Sequence, residues 1–300
     1  MKKLLLTLAM CAAFSGFAQV VNVAGIEQVT MPEGVVSQVA AISPNGDYLL
    51  LSSDSNQGLT KLDLATGERT VITDAQGAGY NVRISNDGNS IVYRQTSTNA
   101  KRMRQVAVAS HNLATGATQQ LVKATRHLQG VQVNGNTATT VTKGKASARA
   151  LDGGKATKEN MVYTTQNYQL MVSVAGKVRQ LSPLGADKRY LWASLSPNGQ
   201  KALFFVAGDA AYVCNIDGSG LTKLGMLHAP KWLNDNIVVG MNDKDNGEVY
   251  ISSEIVAVNL QGERQVLTGN DVIAMYPQCG GDKIAFSTPT GEAYIINLTK

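Results

Sequence analysis

Few residues in this chain could do chemistry. There are three histidines and three cysteines in 300 residues. His127, in KATRHLQG, and His228, in GMLHAPK, fall in corresponding short segments between apolar alternating runs. That placement would suit a metal pair or an acid-base pair. A firm metal site usually takes three protein ligands with their own supporting partners, so two histidines fall short and are read as polar loop residues. His111 lies in a strand-like run, away from both. Cys214 and Cys279 lie in separate apolar runs and read as small buried hydrophobes, neither a nucleophile nor a redox pair. The run DKDNGE, 243 to 248, has calcium-like composition, but an EF-hand loop needs its Gly at the sixth position. The chain contains no G-x-S-x-G elbow, H-E-x-x-H helix or P-loop. The residues therefore predict a non-catalytic protein without metal or cofactor.

The amino terminus explains where such a protein would work. Lys2 and Lys3 precede an apolar run from Leu4 to Phe14 that is too short to span a bilayer, and Gly16-Phe17-Ala18 offers small residues for cleavage. Residues 1–18 read as a secretory signal peptide, which predicts a periplasmic or extracellular location. Met10 before Cys11 argues against lipid attachment there. Cleavage would remove two lysines from a net charge of +5. The remainder is too mildly basic to imply nucleic acid, and no second apolar run is long enough for a membrane helix.

The elements that must position any site repeat along the chain. Short runs opened by glycine recur: GIEQVTM, GERTVIT, GATQQLV, GKVRQLS, GLTKLGM and GERQVLT, at Gly25, Gly67, Gly116, Gly176, Gly220 and Gly262. All but the first follow a strand-like run such as LTKLDL or EIVAVNL. The intervals hold a second repeat, in which a polar Gly-bearing turn joins two apolar runs: AAISPNGDYLLLSS, VRISNDGNSIVYRQ, VQVNGNTATTVT, ASLSPNGQKALFFV and YPQCGGDKIAFS. Asn-Gly, Asp-Gly and Gly-Gly supply the positive φ that tight hairpins need. KWLNDNIVVGM fits the same slot without its Gly. A period in the forties made only of short strands belongs to a β-propeller, and counting the glycine-opened runs gives six four-stranded antiparallel blades. The first run, from Gly25, lacks preceding partners, and the last three strands lack a fourth. The N-terminal strand should therefore pair with Ala293 to Leu298 and close the ring, making 19–300 one domain.

The turns SPNG at Ser43 and Ser196 and SNDG at Ser85, followed by apolar, VNLxG-like and xLT-like strands, resemble the TolB-type propeller repeat, usually written SPDG. The similarity runs over nearly all of residues 25–298. It implies the propeller fold, and a relationship to periplasmic translocation-associated proteins, to the propeller domains of secreted peptidases and to some sugar lyases. Such a fold does not by itself assign a function.

In a propeller the connections between blades gather at one mouth of the central channel, where loops commonly bind partners. Here they would present Tyr80, Arg126, His127, Arg189, Tyr190, His228, Lys231 and Tyr276, a mildly basic set suited to anionic or carboxylate groups. The tyrosines could equally cap their strands against a neighbouring blade, and Trp192 and Trp232 read as packing between blades. The segment of about 143–160, KGKASARALDGGKATKEN, reads as a basic insertion loop on the mouth face. Taken together, these features predict a monomeric scaffold that binds a protein or peptide in the cell envelope. The alternatives are a metal-dependent, lyase-like enzyme using His127 and His228, or a stand-alone peptidase-type propeller.

Overall fold

A computed structural model describes residues 19–31 and 37–299; residues 1–18, read from the sequence as a signal peptide, and most of the first inter-blade connection lie outside the described residues. Every element among the described residues is a strand. Blade 1 is β2 (Ser37–Ile42), β3 (Tyr48–Ser53), β4 (Leu59–Asp63) and β5 (Arg69–Thr73). Blade 2 is β6 (Arg83–Ile84), β7 (Ser90–Thr98), β8 (Arg104–Asn112) and β9 (Thr118–Thr125). Two three-stranded sheets follow: β10 (Leu128–Asn134), β11 (Thr137–Thr142) and β12 (Lys145–Ala150), then β13 (Met161–Thr164), β14 (Leu170–Val174) and β15 (Lys177–Gln180). Blade 5 is β16 (Tyr190–Leu195), β17 (Lys201–Val206), β18 (Ala211–Asn215) and β19 (Thr222–Gly225). Blade 6 is β20 (His228–Trp232), β21 (Ile237–Asp245), β22 (Tyr250–Asn259) and β23 (Arg264–Val266). Blade 7 joins β24 (Met275–Gly280), β25 (Lys283–Ser287) and β26 (Ala293–Thr299) to β1 (Asn22–Val29) from the other end of the chain.

The ring thus has seven blades rather than six. Seven apolar clusters make the count independently, because each fills one gap between adjacent sheets. Leu50, Ile91 and Tyr93 join blades 1 and 2, whereas Leu49, Leu51, Ala285 and Ile295 join blades 7 and 1. Leu170, Val172, Tyr190 and Phe204 fill the gap between blades 4 and 5, and clusters of the same kind fill the other four. The miscount arose in the long interval between Gly116 and Gly176, which holds two incomplete blades. Blade 3 lacks an outermost strand. β13 runs in the direction of a second strand, so blade 4 lacks its first.

The insertion loop is corrected for the same reason. Only Lys143 and Gly144 form the turn after β11; Lys145–Ala150 is β12, paired along its length with β11 from Thr142↔Lys145 to Thr137↔Ala150. Its alternation is complete, with Ala146, Ala148 and Ala150 on the less exposed side. Methyl groups bury too little area to register as an apolar run. The following residues, 152–160, lie on the face opposite the mouth, where the Asp152 carboxylate accepts from Asn136 at 3.2 Å and Asn160 donates to the Gly199 carbonyl at 3.1 Å.

Ring closure is as expected: β1 pairs antiparallel with β26 from Asn22↔Thr299 to Val29↔Ala293. The turn motif also has a physical account. In SPNG and SNDG the amide of Gly46, Gly88 or Gly199 donates to the carbonyl of Ser43, Ser85 or Ser196, each at 2.9 Å. The serine hydroxyl then accepts the N–H of the residue opening the next strand, Tyr48, Ser90 or Lys201, at 2.8–3.1 Å. The three glycines have φ of 73° to 75°, which an L side chain resists.

Candidate functional site at the channel mouth

The first strand of each sheet approaches its counterparts in the neighbouring sheets, and this makes those strands the channel wall. Four of them, β2, β16, β20 and β24, are interrupted at the same place, and β10 two residues earlier. Register slips between Val39 and Ala41, Leu128 and Gly130, Leu191 and Ser194, His228 and Lys231, and Met275 and Gln278. In three blades the slip contains a residue with positive φ, Trp192 (50°), Ala229 (45°) and Tyr276 (53°), and Asn81 (55°) holds the same offset just before β6. A bulge of this kind bends the strand and re-aims its side chains, and left-handed non-glycine residues carry strain of order 1 kcal/mol or more. The repeated bulge sets the rim of the mouth.

The residues expected at this rim divide into four groups. Tyr80, Arg126, His127 and Arg189 are exposed on the inter-blade connections. The Arg94 guanidinium lies over the Tyr80 ring at 5.4 Å and donates to the carbonyls of Tyr80 and Asn81, while Arg189 lies over the Tyr168 ring at 4.2 Å. Arg126 reaches the Met103 sulfur at 3.0 Å. Tyr276 and His228 are half-buried at the bulges, and the Tyr276 hydroxyl is 3.4 Å from that of Tyr250. Tyr190 stands apart. It is fully buried in the gap between blades 4 and 5, edge-on to Phe204, and its hydroxyl donates to the Gly185 carbonyl at 2.9 Å. It caps its strand and offers no surface to a ligand.

His228 is the most elaborately held of these side chains. Its Nδ1 is 2.7 Å from an oxygen of the buried Asp243 carboxylate, and its ring meets Phe205 edge-on at 4.8 Å and Trp192 at 5.6 Å. His127 has no such partner among the described residues and opens blade 3, three blades from His228. Among the described residues no group of three or more His, Cys, Asp or Glu comes together in a way that could hold a metal ion.

Lys231 lies deeper, on the channel wall, and there the structure adds two residues that the connections do not contain. Arg83 lines the channel from the first strand of blade 2, and Arg94, on the second strand of that blade, lies beside it. Arg83 and Lys231 occupy one register position, paired with Val92 and Val239 respectively; Ala41, Gln132, Ser194 and Gln278 fill it in blades 1, 3, 5 and 7. Lys231 and the two arginines are partly accessible to the channel yet crowded by protein on every side, so burial pushes Lys231 down to about 8 and Arg83 to about 10. Arg83 lowers Lys231 further and Arg94 lowers Arg83, each by repulsion between like charges. Burial acts oppositely on the neighbouring Cys279 thiol, raised to about 12, and on Cys214, raised to about 11, so both stay protonated and inert. Arg83 was legible as a basic residue in the slot of Ala41 and Ser194, two places before the turn serine.

Apolar surface is concentrated on the same face. The exposed large apolar residues Tyr80, Tyr168, Trp192, Met226, Val249 and Ile251 all lie on inter-blade connections, bulges or the β13–β14 and β21–β22 hairpins, which project towards the mouth. Only Val23, Val71 and Leu221 are exposed elsewhere among the described residues. On the opposite face a polar cleft of about 470 Å³ lies between the turns of blades 3 and 5, bordered by Asn136, Asp152, Asn160 and Gln200.

No family model and no curated protein matches the chain. Solved structures do. The chain is similar to the propeller of Cps50 (Swd1) from Myceliophteria thermophila at 12% identity and TM-score 0.58, covering 93% of this chain and 100% of that one. It is similar to the propeller domain of the trilobed protease from Pyrococcus furiosus at 12% identity and TM-score 0.56, covering 90% and 97%. It is also similar to a TolB from Agrobacterium tumefaciens at 16% identity and TM-score 0.55, covering 89% and 91%. The chain spans about half (52%) of TolB from Acinetobacter baumannii, at 18% identity and TM-score 0.49. At these identities the likeness establishes the architecture: this is a β-propeller, with TolB-like propellers among its structural neighbours.

Proposed function

We propose that this protein is an exported, non-catalytic propeller that binds a protein or peptide partner across its channel mouth. The observation that carries the reading is the one-sided surface: aromatic and aliphatic side chains interleaved with Arg126 and Arg189 on the mouth face. Tyrosine, tryptophan and arginine dominate the energetics of protein interfaces, and contiguous exposed apolar surface on a soluble chain marks contact sites. The structural neighbours support a binding scaffold only at the level of fold. The test is capture of partners from envelope extract by the wild-type protein and by Trp192→Ala and Tyr168→Ala variants. Loss of a captured protein with either variant, at unchanged melting temperature, is the expected result; capture indifferent to both refutes the mouth as the binding face.

A second reading is favoured by the His228–Asp243 pair. A carboxylate on Nδ1 orients the ring and leaves Nε2 available as a base or metal ligand, as a lyase-like enzyme would require. Elemental analysis of the purified protein separates the two readings: stoichiometric metal lost on His228→Ala supports the enzyme and overturns the scaffold.

A further inference from the structure

The channel wall concentrates positive charge in a place where proteins seldom leave it unpaired. Arg83 and Lys231 stand at one register position on the innermost strands of blades 2 and 6, on opposite sides of the seven-bladed ring, and Arg94 joins Arg83 from β7, the second strand of blade 2. Among the described residues no carboxylate lies within ion-pair distance of any of them. Arg94 spends donors on the carbonyls of Tyr80 and Asn81, and Arg83 donates to the Val82 carbonyl at 3.3 Å. The remaining guanidinium N–H groups and the whole Lys231 ammonium meet no protein acceptor. At the same register position in blade 5, the Ser194 hydroxyl is buried without a hydrogen-bond partner. Cations drawn away from water are ordinarily paired, because the hydration they lose is otherwise not replaced. A protein holding three together, with repulsion between them, retains that cost for an occupant that removes it.

We infer that the channel is an anion site, in which Arg83, Arg94 and Lys231 clamp a multiply charged oxyanion of the phosphate or polycarboxylate type. The guanidinium forks give two-pronged recognition of planar or tetrahedral oxyanions, and the ammonium adds a point charge from the opposite wall. The groups facing Lys231 are Arg83 and the neutral thiol of Cys279, so an occupying anion would supply the only negative charge it meets. The site does not depend on partner binding at the mouth. Trp192→Ala should lose the partner and keep the anion, so failure of one reading is distinguishable from failure of the other.

The test is calorimetric titration of the purified protein with sodium sulfate, whose charge is constant over the neutral and mildly alkaline range, against chloride at matched ionic strength. Saturable one-to-one binding is expected, weakened about tenfold or more by Lys231→Met and by Arg83→Gln. Sulfate affinity should also fall as pH rises from about 7 to 9 in the wild type, as Lys231 loses its proton, and stay level in Lys231→Met. The wild-type pH profile needs no substitution, so it stands even if a variant folds poorly. Parallel titrations with inorganic phosphate and with citrate separate the two sources of the charge, and tighter binding of either supports the site. Sulfate binding no stronger than chloride, binding that survives both substitutions, or a flat wild-type pH profile overturns it.

Discussion

Replacing Lys231 by methionine should make the unliganded protein more stable, which is the reverse of the usual outcome for a change inside a fold. Methionine keeps the length and apolar stem of the side chain and removes only the ammonium. The drop from the ordinary 10.5 to about 8 measures how much the folded protein disfavours that charge. At about 1.4 kcal/mol per unit, the drop corresponds to roughly 3 kcal/mol. Channel water screens part of this, so a gain of about 2 kcal/mol at neutral pH is the working figure. For a chain of this size that is a rise of roughly 4–8 °C in Tm. The sign of the pH dependence follows from the same shift. Between about 8 and 10.5 the unfolded lysine holds its proton while the folded one has released it. Wild-type stability therefore gains from this group as pH rises, and the advantage of the variant shrinks towards zero. Cys279 acts in the opposite sense above about 9, since its thiol is raised to about 12 and the folded state then holds the extra proton. Both proteins carry that cysteine, so the difference between their stabilities isolates the lysine. Urea unfolding of both proteins in low-salt, sulfate- and phosphate-free buffer at pH 6.5, 8 and 9.5 makes the measurement. A variant that is less stable than wild type at pH 6.5 refutes the account of Lys231 as an unpaired charge.

Two further outcomes test the architecture. Deleting β1 exposes the edge of β26 from Ala293 to Thr299, so the truncated protein should associate or aggregate on size-exclusion chromatography; a folded monomer would show that the ring does not depend on this closure. A Cβ at Gly280 would lie 2.1 Å from the Ser43 carbonyl oxygen, backbone against backbone across the seam of blades 7 and 1. Gly280→Ala should therefore cost about 1–3 kcal/mol in urea unfolding, whereas Gly67→Ala, with nothing within 4 Å and only its φ of 72° to object, should cost less.

The strands that could be read from the sequence were those whose side chains bury large apolar area or whose turns need glycine. Leu49, Leu50 and Leu51 announce β3, and Ser-Pro-Asn-Gly announces the turn before it. β12 escaped because alanines carry its inward face, and with it went the seventh blade. The rim residues were found where they lie on connections, as with Tyr80 and Arg189. Tyr190 was assigned to the rim because it begins a strand beside those connections; its burial depends on Leu170 and Val172 of blade 4, which no local pattern reveals. Arg83, Arg94 and Asp243 were missed for a related reason. Arg83 stands out only by what faces it across the channel and Asp243 only by His228 on the paired strand, relations that no single strand displays.

The gap between blades 3 and 4 is the thinnest of the seven, with only Val141, Met161 and Tyr163 fully buried in its cluster. Both flanking sheets have three strands, and of the five buried polar atoms without partners among the described residues, the three on Asn136, Tyr163 and Ser173 belong to them. The closed ring therefore has unequal links. Amide hydrogens of β11 to β14 should exchange faster than those of β17, β21 or β25, and a protease should first cut between residues 150 and 161. The join made by the two ends of the chain, backed by Leu49, Ala285 and Ile295, should outlast it.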